Sequence, residues 1–185
     1  MPFVSVSPED RDELFFYTRT ALAPLFQAFG VVRPTATPFN RLRKLGWNRG
    51  SGARIFLASN FFVDQNYVIA GTIVLLGDSF TKGYMTMASL SPVGDRSKFG
   101  PLINGVKLGD ALQACGNAFR HYEEWNAGQS VSTGTDNVLN NLGISQRDAS
   151  VCYRFLQLCN VSDREAFESK LNDYCDVVET KQGIP

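Results

Sequence analysis

The chain has 185 residues, 44% of them hydrophobic and 12% aromatic, enough to bury most of its apolar surface without metal or disulfide staples and too apolar for a disordered segment. Eighteen basic and eighteen acidic side chains cancel, which excludes a protein that holds polyanions through bulk charge. The length suits a single domain over 1–185.

The charges are unevenly spread. Between Val31 and Arg54 lie six cations (Arg33, Arg41, Arg43, Lys44, Arg49 and Arg54) and no acid, whereas from Gln146 onward seven acids face five bases. Such a basic run is a solvated loop, a patch that steers a phosphate backbone, or a surface on which another protomer docks. The four cysteines (Cys115, Cys152, Cys159, Cys175) lack C-x-x-C spacing and have one histidine to help them, which argues against zinc. Each sits among apolar residues, as a small buried hydrophobe does. The acidic start (Glu9, Asp10, Asp12, Glu13) lacks the positive head and apolar core of a signal peptide. No membrane span is legible, and the expectation is a reduced, cytoplasmic protein.

In chain order, Ser7 caps a first helix, Pro8 suits its first turn, and Glu9, Asp10 and Asp12 complement its dipole. Leu14, Phe15, Thr18, Leu22, Leu25, Phe26 and Phe29 form its apolar stripe up to Gly30. Pro24 predicts a kink or break near Ala21. Residues 31–54, with Pro34, Pro38, Gly46, Gly50 and Gly52, read as a basic irregular loop.

Residues 55–90 admit two readings. The apolar run Tyr67–Leu76 suits a buried strand, hence an α+β alternative with a small central sheet in 55–90. Ile69, Ile73, Leu76, Phe80, Tyr84, Met87 and Leu90 recur at spacings of three and four, and the helix they define is preferred. Thr72, Asp78, Ser79, Lys82, Thr86 and Ser89 then fall largely on its polar side. Gly71, Gly77 and Gly83 stand against it, at about 1 kcal/mol each relative to alanine.

Pro92–Gly105 reads as a loop. Lys107–Asn126 reads as one strong helix with Leu108, Leu112, Cys115, Phe119 and Tyr122 as its seam, ended by Gly128. Ser130–Asp136 is polar linker and Val138–Leu142 a short helical turn. Residues 145–181 form a C-terminal helical hairpin, whose second helix opens on a Ser162/Glu165 capping box. The sum is a mainly α domain, a bundle of about five helices.

The only histidine lies in Asn117-Ala118-Phe119-Arg120-His121-Tyr122-Glu123-Glu124-Trp125. On a continuous helix Asn117, Arg120, His121 and Glu124 fall at i, i+3, i+4 and i+7 and share one face. Asn117 to Trp125 resembles a motif of bacterial helical proteins of the HEPN type, a bundle family that includes toxin and phage-defence ribonucleases. Asn117 and His121 match its polar residue and histidine, and Glu124-Trp125 resembles the trailing residues of some relatives. The resemblance covers about one helix, and Gly116 stands where the family carries arginine.

The resemblance implies a metal-independent endoribonuclease without cofactor, or an inactive RNA-binding derivative, in a defence or toxin–antitoxin setting. In it His121 moves the 2′-hydroxyl or 5′-oxygen proton and Asn117 orients phosphate or ring. Arg120, or a cation from a dimer mate or from the Arg33 to Arg54 loop, stands in for the missing arginine, and Glu124 holds the imidazole. Arg41, Arg43, Lys44, Arg49 and Arg54 would contact RNA. The implied partners are RNA, an antitoxin or other protein, and a second copy, since one helix offers a single histidine. The competing reading takes the same residues as an ordinary polar helix face, with Arg120 and Glu124 as an ion pair of about 0.3 kcal/mol. The protein is then a non-enzymatic interaction, regulatory or immunity module.

Overall fold

The computed structural model describes residues 3–29, 52–92, 94–148 and 150–182, with 28–29 and 52–66 described by backbone alone. In chain order it contains α1 (Pro8–Phe29), α2 (Gly52–Met87), a 3-10 turn (Arg96–Lys98), β1 (Leu102–Ile103), β2 (Val106–Lys107) and α3 (Leu108–Arg120). Then follow α4 (Tyr122–Asn126), α5 (Thr133–Leu142), α6 (Val151–Leu158) and α7 (Arg164–Lys181). The protein is mainly α, with seven α-helices and one small sheet among the described residues. Residues 31–51 of the basic stretch lie outside the described residues, and Gly52–Arg54 belong to α2 instead of the loop.

The helical reading of the central segment holds, and the three glycines turn out to be its contact points. A Cβ on Gly71 would lie 2.4 Å from the Phe119 ring, and one on Gly77 would lie 2.9 Å from Phe167 and 3.0 Å from Leu112. On Gly83 it would lie 3.3 Å from Leu14. Each glycine lets another helix approach α2, and that close packing offsets its intrinsic cost of about 1 kcal/mol. At 36 residues, about 54 Å long, α2 is the central rod, with α1, α3, α6 and α7 packed against it. Its polar side differs from the expected one: Asp78 and Thr81 are fully buried, while Met87 is partly exposed. So many helices surround α2 that a one-sided stripe does not describe it.

The sheet lies downstream of 55–90: β1 falls inside the expected loop, and β2 lies just past it and takes in Lys107, the expected start of the next helix. Leu102 pairs with Lys107 and Ile103 with Val106, and Asn104 and Gly105, both at positive φ, form the two-residue turn that an antiparallel hairpin favours. In α1, Ser7 Oγ accepts from the Asp10 amide at 3.1 Å, and the helix continues unbroken through Pro24. Phe15, Thr18 and Leu22 are buried on its inner side. α5 starts earlier than expected, because Ser132 caps it at the Thr135 amide. In the C-terminal hairpin the cap of α7 is Asp163, not Ser162: its carboxylate accepts from the Ala166 amide at 2.8 Å.

The histidine segment departs most. α3 stops at Arg120 and α4 begins at Tyr122, with His121 between them at φ −110° and ψ 15°. Neither proline nor glycine marks this break, so helical spacing alone extends one rod through it. Leu108, Ala111, Leu112, Ala114, Cys115 and Ala118 of α3 are buried, and so is Trp125 of α4.

Candidate functional site

The break divides the four residues of the motif into two pairs. Ahead of it, Arg120 Nη1 donates to Asn117 Oδ1 at 3.1 Å. Beyond it, His121 Nδ1 lies 2.7 Å from Glu124 Oε2, with both side chains about half exposed. The imidazole also stacks on Trp125, with ring centroids 5.8 Å apart. The anticipated Arg120–Glu124 pair is replaced, because Arg120 turns inward and Glu124 turns to the histidine.

What draws Arg120 inward is Asp78, a residue the sequence reading placed on the polar side of α2. Its carboxylate has no exposed surface and meets three cations. Arg96 Nη1 stands 2.7 Å from Oδ1, while Lys82 Nζ and Arg120 Nη2 each stand 3.1 Å from Oδ2. Arg96 is itself buried, and its contact with Asp78 is an electrostatic pair without an aligned hydrogen bond. Lys82 and Arg120 keep 41% and 39% of their side chains exposed. One buried anion therefore fixes two surface cations side by side, since both touch the same oxygen. Lys82 follows Asp78 by one helical turn, which the sequence did display. The 3-10 turn that supplies Arg96 is held in place by α3 and α7: Tyr174 Oη donates to the Arg96 carbonyl at 3.0 Å. A Cβ on Gly109 would come within 2.0 Å of that same oxygen.

Gly116 acquires a role here. A Cβ at that position would lie 3.6 Å from Arg120 Nη1 and 3.4 Å from Leu75, so the Arg120 head occupies the space beside residue 116. Two of its five N–H donors are engaged, one by Asn117 and one by Asp78. The guanidinium is thus tied at two points, with 39% of its side chain still exposed.

Two clefts flank this ridge. One, of about 340 Å³, is lined by Arg120, Tyr67, Val68, Phe119, Tyr122 and Glu123, with Ala118 and Val151 beneath. The other, of about 330 Å³, takes in Asn117 with Asp110, Gln113, Ser132 and Thr135. Burial raises the carboxyl pKa of Asp110 above the ordinary aspartate range. Asn117 and Arg120 are hydrogen-bonded to each other yet face different clefts, and His121 lines neither. Of the proposed RNA contacts, Arg41, Arg43, Lys44 and Arg49 lie outside the described residues, and Arg54 sits in the first turn of α2.

The thiols are buried. Burial pushes the Cys152, Cys159 and Cys175 pKa values up to about 12, which leaves them protonated and poor nucleophiles. Among the described residues no group of three or more His, Cys, Asp or Glu side chains is arranged to hold a metal ion, and no helix is long and apolar enough to cross a membrane. No protein-family model, curated protein or solved structure matches the chain.

Proposed function

We propose that this protein is a HEPN-like helical protein that binds single-stranded RNA at the Arg120 face and does not cleave it as a lone chain. The observation that carries the reading is the tethered arginine: a guanidinium fixed by Asp78 and Asn117, with donors to spare, at the edge of an aromatic-walled cleft. A preorganised fork of this kind suits a phosphodiester, and aromatic rings beside it suit unstacked bases. Cleavage without metal needs an acid and a base on opposite sides of the phosphate. The described face offers one imidazole, and its nearest carboxylate is engaged on that same ring. A second copy supplying another His121 would complete an acid–base pair, which makes dimerisation the route to an active form.

The test is fluorescence anisotropy of a labelled single-stranded RNA in chelator, run beside a gel of the same RNA after prolonged incubation. Salt-dependent binding, weakened in Arg120→Lys and without strand scission, is the expected outcome. Scission that disappears in His121→Ala would make the protein a ribonuclease instead. No binding at low salt would refute the proposal.

A second reading, a protein-interaction module, rests on α1. Phe16 and Tyr17 are each 63% exposed and lie beside Glu9, Asp10, Asp12 and Glu13 on the outer side of that helix. Exposed neighbouring aromatics are common in protein contacts. Sedimentation velocity of the native chain and of Phe16→Ser/Tyr17→Ser tests the face: self-association lost in the variant would assign it to a second copy.

A further inference from the structure

We propose that the cleft beside Arg120 is a guanine-nucleotide subsite, an inference that rests on the RNA-binding reading. Its volume of about 340 Å³ is that of a small-ligand site. Its walls are of two kinds. Tyr67, Phe119 and Tyr122 contribute aromatic rings and Val68 an aliphatic surface, which together suit a flat heterocycle. Arg120 and Glu123 contribute one charge of each sign.

That pairing of charges narrows the occupant. A free phosphate or a simple anion would meet Arg120 but be repelled by Glu123, and would leave the rings unused. A nucleotide satisfies all three features: base between the apolar walls, phosphate on the guanidinium, and a base edge on the carboxylate. An ionised carboxylate only accepts hydrogen bonds, so it selects bases by their donors. Adenine and cytosine each present one amino group next to a ring-nitrogen acceptor, and uracil presents one N–H between two carbonyl oxygens. Guanine alone presents adjacent N1–H and N2–H donors, which match the two oxygens of Glu123 as a bidentate pair.

The cleft is also rigid where it needs to be. Phe119 is pressed against the α2 backbone at Gly71, where a Cβ would clash at 2.4 Å. Arg120 is fixed by Asp78 and Asn117. Both wall and cation are therefore in place before a ligand arrives, which lowers the ordering cost of binding.

The experiment uses the full chain and two probes, isothermal titration with 5′-GMP, AMP, CMP and UMP, and anisotropy with oligouridine carrying one central guanosine or inosine. GMP is expected to bind at least about tenfold more tightly than the other mononucleotides, and inosine, which lacks the 2-amino group, to weaken the oligonucleotide by about tenfold. Glu123→Gln should abolish both preferences, while plain oligouridine, which lacks guanine's paired donors, binds more tightly once the charge that repels its phosphate is gone. Because Glu123 is an exposed side chain, the variant is expected to fold, and circular dichroism checks that it does. RNA binding without a guanine preference, or a preference that survives Glu123→Gln, overturns the subsite and leaves the RNA reading standing. GMP binding without RNA binding does the reverse. Binding of neither overturns both.

Discussion

Asp78 is the residue on which the arrangement around Arg120 depends. A carboxylate with no solvent contact is stable only if charges and donors around it replace water, and here Arg96, Lys82 and Arg120 do so. The three partners are not equivalent. Arg96 is buried with the aspartate, whereas Lys82 and Arg120 reach solvent. Asp78→Asn would keep the shape but leave Arg96 buried without a counter-charge, at a cost of about 3–5 kcal/mol. Arg120→Met removes one solvent-reaching partner and leaves Arg96 and Lys82 on the carboxylate, so it should cost less, about 1–2 kcal/mol. Urea unfolding of the two variants measures both losses. Losses of similar size would mean that the buried pair is not what stabilises the cluster. The sequence hid this residue for a physical reason. An aspartate four positions before a lysine on an amphipathic helix reads as an exposed ion pair, and only the number of helices around α2 puts it inside.

At the scale of elements, glycines separate what pattern can show from what packing decides. The periodicity of Ile69 to Leu90 was enough to make α2 helical against three apparent breakers. The reason they are tolerated lies on other helices, at Phe119, Phe167, Leu112 and Leu14, and no local rule reaches that far. Gly71 and Gly116 are expected to respond to alanine in opposite directions. At Gly71 the new methyl overlaps the Phe119 ring, so a propensity gain of about 1 kcal/mol is outweighed by overpacking of about 1–3 kcal/mol. Phe119→Leu in the same chain should recover part of the loss. At Gly116 the methyl meets Leu75 and Arg120 at ordinary contact distance, so stability should rise by up to about 1 kcal/mol. Thermal unfolding of both single variants checks the contrast, and a stabilised Gly71→Ala would contradict the close approach.

The cap of α7 adds a pH dependence. The Ala166 amide first, and then the Ser162 hydroxyl, hold the Asp163 pKa below the ordinary aspartate range. A folded-state pKa lower than the unfolded one means that the contribution is present above the unfolded value and lost as pH falls through the folded one. Asp163→Ala should therefore cost about 1 kcal/mol at pH 7 and progressively less in acid, read from urea midpoints between pH 7 and pH 2. A difference that stays constant across that range would remove the carboxylate as the cap. The Ser162/Glu165 pattern was legible one residue out of register, because Asp163 offers a charged acceptor where Ser162 offers a neutral one.

Across the whole molecule, α1 and α7 are brought together over more than 160 residues of chain by a small polar clasp. Arg11 reaches Asp176 at 2.8 Å, Asn172 at 3.0 Å and Glu179 at 3.6 Å, and the buried Tyr84 of α2 donates its hydroxyl to Glu179. Nothing in the sequence announces this contact, since each partner looks like an ordinary surface charge on its own helix and the pairing is purely long-range. Its consequence is cooperative. Burial and the Glu179 bond raise the Tyr84 phenol above its ordinary pKa, so it remains a neutral donor throughout the working range. Tyr84→Phe would take one donor from Glu179 while Arg11 stays in place, with an expected loss of about 1.5–3 kcal/mol for a hydrogen bond to a charged group. Because α1, α2 and α7 meet at this point, the urea midpoint should fall with an unchanged slope, as for one cooperative unit losing a single interaction. A shallower slope, or an early phase seen by hydrogen exchange in α1 and α7 alone, would instead make those two helices a separately opening layer over the α2–α3–α6 core.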